Sequence, residues 1–222
     1  MAFGPIMQLK VGELSIELSP IAKADMGEFI APGMQQASIT KYLNRHVAPV
    51  LEDEFEWFDR ERASKDSLVW GIYVIDGKKR ILIGNTGVHD ISVDHTIQSV
   101  SGSMIFRKEY WGKGIASAIH QARTWYLFEH LGHTRVKSAV VAGNIASRKA
   151  LEKSGYTLVY TERNTTFVDG KLRHQDNLEC LNPSETTWRL WWGDDQPTVS
   201  ALEARKRALE AMSWAADHVH LN

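Results

Sequence analysis

Two glycines flank a lysine in "YWGKGIASA", residues 110–118, where an apolar run hands over to small residues at helical spacing. The chemistry open to such a turn is anion binding. The first turn of a helix leaves backbone N–H groups without intrahelical partners, and their aligned dipoles add roughly half a positive charge there. Gly112 and Gly114 remove Cβ atoms where the chain must come close to a phosphate, while Ile115, Ala116 and Ala118 keep the helix start small. Relief of strain in a tight strand-to-helix turn would call for the same glycines. Two common phosphate loops do not fit: there is no G-x-x-x-x-G-K-[ST], and no third glycine stands three residues after Gly114. The anion indicated belongs to neither a nucleoside triphosphate nor NAD.

The elements that must hold this turn follow from periodicity. "LSIELSPI" (14–21) alternates as a half-buried strand does, and "AKADMGEFI" after Pro20 suggests a short helix. Residues 48–63 have Pro49 near a helix start, acids early, arginines late, and Leu51, Phe55 and Phe58 on one side, which predicts a helix. "SLVWGIYVID" and "RILIGNTGVHDI" read as strands joined over Asp76-Gly77, and "IQSVSGSMIF" follows the polar break at Asp94 and His95. Connections this short force an antiparallel meander. After the glycine turn come a helix stopped by Gly132, the strand "RVKSAVVAG", and a helix with Asn144 as N-cap and Gly155 as stop. Two strands, "YTLVYTERNTTFV" and "LRHQDNLECL", close the domain around a "DGK" turn.

Composition narrows the function. The 222 residues carry 26 basic and 27 acidic side chains, a formal charge of -1, so nothing electrostatic favours nucleic acid or an anionic membrane surface. The single cysteine, Cys180, excludes an intrachain disulfide and a multi-thiolate metal site; no metal is expected, and a reducing, cytoplasmic setting is. No apolar run approaches the ~18 residues of a membrane span, and the first residues lack a signal-peptide pattern. Beyond Pro183 the texture changes: Trp188, Trp191 and Trp192 precede an amphipathic helix with Val199, Leu202, Leu209, Met212 and Ala216 along one stripe. We divide the chain into a domain, 1–182, and a C-terminal extension, 183–222, that docks on the domain or serves a homodimer interface.

"YWGKGIASA" resembles motif A of the GNAT superfamily of N-acetyltransferases, Q/R-x-x-G-x-G/A, with Trp111 at the first position, Gly114 at the central glycine and Ala116 at the last. "NIASRKALEKSGY" (144–156) is similar to the N-x-x-S-x-x-x-x-x-K-x-G-[FY] helix of the RimJ/RimL branch. The resemblance implies an α+β (mixed α/β) fold, with a mostly antiparallel sheet of about seven strands flanked by helices, and acetyl-CoA as donor. It implies a pyrophosphate on the N–H groups from Gly112 through Lys113, Gly114 and Ile115 to Ala116, beside Trp111. It further implies a pantetheine arm pairing with Met104, Ile105 and Phe106, a cofactor contact from Asn144, and Arg148 and Lys153 near the 3′-phosphate. For Asn144 an N-cap role is equally physical.

Direct attack of a neutral amine on a thioester needs deprotonation, an oxyanion donor and a proton for the leaving thiolate. Many relatives place a tyrosine seven residues after the motif asparagine; here Leu151 stands there, and Ser147 becomes the candidate to hydrogen-bond the thiolate, with water as proton source. Back-bonding to its own helix would equally account for that serine. For the base, a glutamate common in this branch is replaced by Ser101, which leaves His89 or Asp90 as candidates. Glu109 reads as a solvated turn residue. The acceptor should approach over Trp57, Phe58 and the Asp169-Gly170 hairpin, with His174 and Asp176 in reach. A protein N-terminus, a lysine or a small amine such as an antibiotic or polyamine would fit, the resemblance favouring a protein amine. The alternative is a non-catalytic acyl-CoA-binding module, motivated by Leu151 and Ser101.

Overall fold

The near-continuous apolar run "LVWGIYVI" in the central strand dictates a sheet covered on both faces there. The computed structural model describes residues 2–43, 47–94 and 96–222, so His95 of the expected polar break lies outside the described residues. The strands are β1 (Met7–Val11), β2 (Leu14–Ser19), β3 (Leu68–Asp76), β4 (Lys79–Ser92), β5 (Gln98–Ile105), β6 (Arg135–Val141), β7 (Thr157–Val168), β8 (Lys171–Leu181) and β9 (His220–Leu221). They form one sheet in the order β7-β8-β6-β5-β4-β3-β2-β1-β9. The expected meander is present, β3 to β4 to β5 all antiparallel, and among the strands of the described residues only β5 and β6 pair in parallel.

Among the described residues the sheet is nine strands wide instead of about seven. The additions are β1, which pairs along β2, and β9, which pairs with β1 at the very end of the chain. Met7, Leu9 and Val11 alternate toward the core, the signal that marks β1 in retrospect.

Helices α1 (Leu51–Ala63), α2 (Ile115–Glu129), α3 (Ile145–Lys153), α4 (Glu185–Trp192) and α5 (Val199–His218) complete the fold, with a run of short helical turns over residues 23–40. Alternate residues of β3 feed two separate cores. Trp70, Ile72 and Val74 join a large core with α2, α3 and α5, whereas Val69 and Tyr73 join Phe29, Met34, Phe58 and Phe106 under α1. The hydroxyl of Tyr73 donates to Asp25 at 2.7 Å, and burial together with that carboxylate pushes its pKa up.

The C-terminal extension enters the large core, but not by the stripe expected from its sequence. Val199, Leu202 and Leu209 are 74%, 49% and 50% exposed and Ala216 is exposed as well; of that stripe only Met212 is buried. The docking face is instead Ala201, Ala204, Ala208, Ala211 and Ala215. Small side chains let α5 settle where Gly155 ends α3, so closely that a Cβ on Gly155 would lie 2.6 Å from the Cα of Ala208. A row of leucines would hold the helices apart. Trp188 is buried at this junction, with the Arg205 guanidinium 4.7 Å from its ring centre.

Candidate active site

The pairing of β5 and β6 begins at Gln98 with Arg135 and ends at Ser101 with Ser138. Beyond that point β5 stays with β4 and β6 with its other neighbour β8, so a notch opens between β5 and β6. Phe106 N–H donates to Ile83 across β4, and by alternation the backbone groups of Ser103 and Ile105 point the other way, into the notch. The Ile105 carbonyl is already occupied, accepting from the indole N–H of Trp111 at 2.8 Å. Of the expected pantetheine-pairing segment Met104 to Phe106, the Ile105 N–H is therefore the group turned to the notch without a partner.

At the end of the notch lies the glycine turn. Gly112 and Gly114 have φ of 72° and 82°, the left-handed region where a side chain is strained, and a Cβ on Gly112 would meet nothing within 4 Å. These glycines serve conformation and an open surface rather than packing. Among the described residues no protein acceptor is found for the N–H groups from Gly112 to Ser117; the helix ladder starts with Ala118 donating to the Gly114 carbonyl. Six adjacent amides, four of them before or at the helix start, are thus left without a protein acceptor among the described residues.

On the far side of the notch α3 begins. Asn144 Oδ1 accepts from the Ser147 N–H at 3.3 Å, which realises the N-cap role, and leaves both side chains half-buried. Arg148 is engaged within the protein: Nε donates to Glu152 and Nη1 to Asp176, each at 2.6 Å. A phosphate there would have to compete with two carboxylates. Lys153 is exposed. Leu151, where many relatives were expected to carry a tyrosine, is buried in the large core.

Gly102 and Met104 of β5 pair with Gly87 and Asn85 of β4, and the face they share carries a cavity of about 330 Å³. Phe29, Met34 and Trp57 form its apolar wall, and Glu54 and Glu61 its acidic one. His89 stands at its edge, 58% exposed, with Nδ1 2.9 Å from Asp90, and also borders an adjoining groove with Glu61, Asp66 and Asp90. His89 and Ser147 are not brought together: the cavity lining includes the first and not the second. Ser101 lies on the opposite face, buried, its hydroxyl without a partner among the described residues. His174 accepts from the Asn164 N–H and Asp176 is bound by Arg148 and Thr161, so both are engaged on their own hairpin or by α3. Glu109 is exposed, as expected of a turn residue.

Three residues missed by sequence reading stand out. Glu54 reads as a dipole-complementing acid in the first turn of α1 and Glu61 as a solvated acid between Arg60 and Arg62 late in it, and only the fold turns them toward the cavity. Tyr42 reaches across to donate its hydroxyl to the Gly143 carbonyl, 3.1 Å away, beside the start of α3.

A family model described as an acetyltransferase (GNAT) domain matches residues 15–157, more than half of the chain. The chain belongs to the GNAT acetyltransferase family. A Bacillus subtilis (strain 168) relative, the uncharacterized N-acetyltransferase YoaA, is 33% identical over 121 residues, 54% of this chain and 66% of its own length. The match thus spans just under two thirds of that relative. Among solved structures, Mycobacterium smegmatis RimJ in complex with CoA-disulfide is similar with a TM-score of 0.68 at 16% identity, covering 99% of this chain and 97% of that one. Spermidine N-acetyltransferase from Vibrio cholerae, in complex with CoA and spermine, gives a TM-score of 0.67 at 17% identity, covering 75% and 95%. At these identities the two structures support the GNAT fold and nothing narrower. The GNAT fold accounts for the mixed sheet with one parallel pair that opens into the notch.

Proposed function

We propose that the protein transfers an acetyl group from acetyl-CoA to a primary amine by direct attack. The observation that carries this is the row of unpartnered amides from Gly112 to Ser117 at the end of the β5/β6 notch, in a chain of the GNAT family. On this reading these amides cradle the pyrophosphate, the Ile105 N–H pairs with the pantetheine arm, and Asn144 and Ser147 border the thiol end. The amine enters from the cavity face over Trp57, and a base there removes its proton. His89 is one candidate; Glu54 and Glu61 are the carboxylates the cavity adds.

A protein or peptide amine is the acceptor we favour, since the cavity continues past His89 and Glu61 into an open groove along Arg60, Asp66 and Asp90 that suits an extended chain. The "NIASRKALEKSGY" helix supports placing the chain in the RimJ/RimL-type branch as part of the same proposal. A second reading, a small cationic amine, is favoured by the two glutamates in the cavity wall. Acetyl-CoA turnover measured against N-terminal peptides, lysine peptides, polyamines and amino sugars decides between them. A CoA titration that leaves the melting temperature unchanged at millimolar ligand rejects the cofactor assignment itself.

A further inference from the structure

Helix α2 carries a cation into the interior. Arg123 is 0% exposed, and a guanidinium removed from water is strongly unfavourable unless an anion compensates it. Its partners are all neutral. Nη1 donates to Thr86 Oγ1 at 2.7 Å, Ser103 Oγ at 2.9 Å and the Gly102 carbonyl at 3.2 Å; Nη2 lies 3.1 Å from His120 Nδ1 and 3.4 Å from the Tyr156 hydroxyl. Nε has no partner. The titratable groups closest to it are neutral: burial, and then Arg123 itself, holds His120 well below the usual histidine range, and burial pushes the Cys180 thiol up; the Glu179 carboxylate next to Cys180 is paired with Arg135 at 3.3 Å.

The location is as informative as the missing anion. Gly102 and Ser103 are the first residues of β5 past the point where β6 leaves it, and Thr86 is their neighbour on β4. The charge therefore underlies the notch from the helix side, opposite the acceptor cavity. Held there without a counter-ion, it projects a positive potential onto whatever occupies the notch.

We infer that Arg123 is a positioning residue for acetyl transfer, acting through the Gly102-Ser103 segment it holds and favouring negative charge at the thioester end of the notch. The inference rests on the notch being the acetyl-CoA site. In the step concerned, the amine nitrogen bonds to the acetyl carbon, the C–S bond breaks with its electron pair going to sulfur, the amine proton goes to a base, and the thiolate takes a proton from water. Negative charge develops first on the carbonyl oxygen and then on sulfur, and a fixed cation favours both.

The test reads the thiol as well as the rate. With CoA bound to wild-type protein, thiolate absorbance titrated against pH should give a thiol pKa about one unit below that of free CoA. Arg123→Met should abolish that shift and lower kcat about 100-fold, with little change in KM for acetyl-CoA. Arg123→Lys should restore much of both, and Thr86→Val with Ser103→Ala, which keeps the charge and removes two hydrogen bonds, should lower kcat less than about tenfold. A folded Arg123→Met with near-normal kcat, or wild-type protein that binds CoA without shifting its thiol, overturns the role of Arg123 alone. If Arg123→Met does not fold, Arg123→Lys decides: retained thiol shift and rate support the role, and a lost rate with an unchanged thiol shift overturns it. Wild-type protein that fails to bind CoA overturns the notch reading and this inference with it.

Discussion

On the face of the sheet that holds α2, α3 and α5, alanines and a glycine bring helices into near backbone contact, and even the polar groups are buried: Arg123, Thr124 and His120 lie in the interior. On the opposite face, Phe29, Trp57 and Phe58 pack loosely enough, under α1 and the short helical turns, to leave a cavity of about 330 Å³ walled by two glutamates. One sheet thus presents a close-packed support on one side and an open, chemically mixed surface on the other. The difference teaches where rigidity and access are divided. Residues that set the notch from below are buried in packing, whereas the acceptor side keeps half-buried Trp57 and exposed His89 along its cavity.

The comparison is broken most severely from the packed side. Gly155→Val would drive a side chain into Ala208 at a position whose φ is 88°. Overpacking and strain together should destabilise by about 3 kcal/mol, lowering Tm by roughly 6–12 °C in a domain of this size, read by calorimetry. A Tm within a degree or two of the parent would mean α5 can move away freely, and that the packed face is not rigid. Gly114→Val tests the cradle between the faces. Its Cβ would meet only Val11 Cγ1 at 3.8 Å, so the protein should stay folded while the Kd for CoA rises about tenfold or more, through strain at φ 82° and loss of the unpartnered amides. Unchanged CoA affinity, by calorimetric titration, would remove the cradle from the site.

The open side is sharpened by Trp57→Ala. Removing about 1 kcal/mol of apolar contact should raise KM for the acceptor about fivefold and leave KM for acetyl-CoA alone, with a small change in Tm. A large Tm loss without a kinetic effect would reassign Trp57 to the core. The smallest effect concerns protons. His133 is buried behind α2 and burial lowers its pKa from 6.5 to about 4. The unfolded chain therefore takes up a proton first as pH falls, so this contribution is intact above about 6.5 and is lost progressively down to about 4. Chemical denaturation at several pH values should show that acid slope, and His133→Leu should flatten it; an unchanged slope assigns acid sensitivity to other groups.

Much of the framework was legible because it is local. Asp76-Gly77 does make the β3/β4 turn, Asn144 does cap α3, and Gly112 and Gly114 do take the positive φ that their spacing suggested. The short connections left the three-strand meander no alternative to antiparallel pairing. The stripe on α5 was misread because Val199, Leu202 and Leu209 are the more apolar residues, whereas docking was decided by the shape of the surface at Gly155. Glu54 and Glu61 were invisible as site residues for a related reason: an acid early in a helix is what the dipole alone would favour, one between two arginines carries no local signal, and their shared cavity depends on strands far along the chain.

Residue order alone determined the glycine turn, the strand and helix sequence around it, and a near-even charge balance, since turns, caps and periodicity act over a few residues. Only the tertiary structure decided that β5 and β6 part after Ser101 and Ser138, that α5 docks through alanines, and that Arg123 lies without an anion beneath the gap. Each of these depends on surfaces meeting from distant parts of the chain, where shape and burial outweigh local preference.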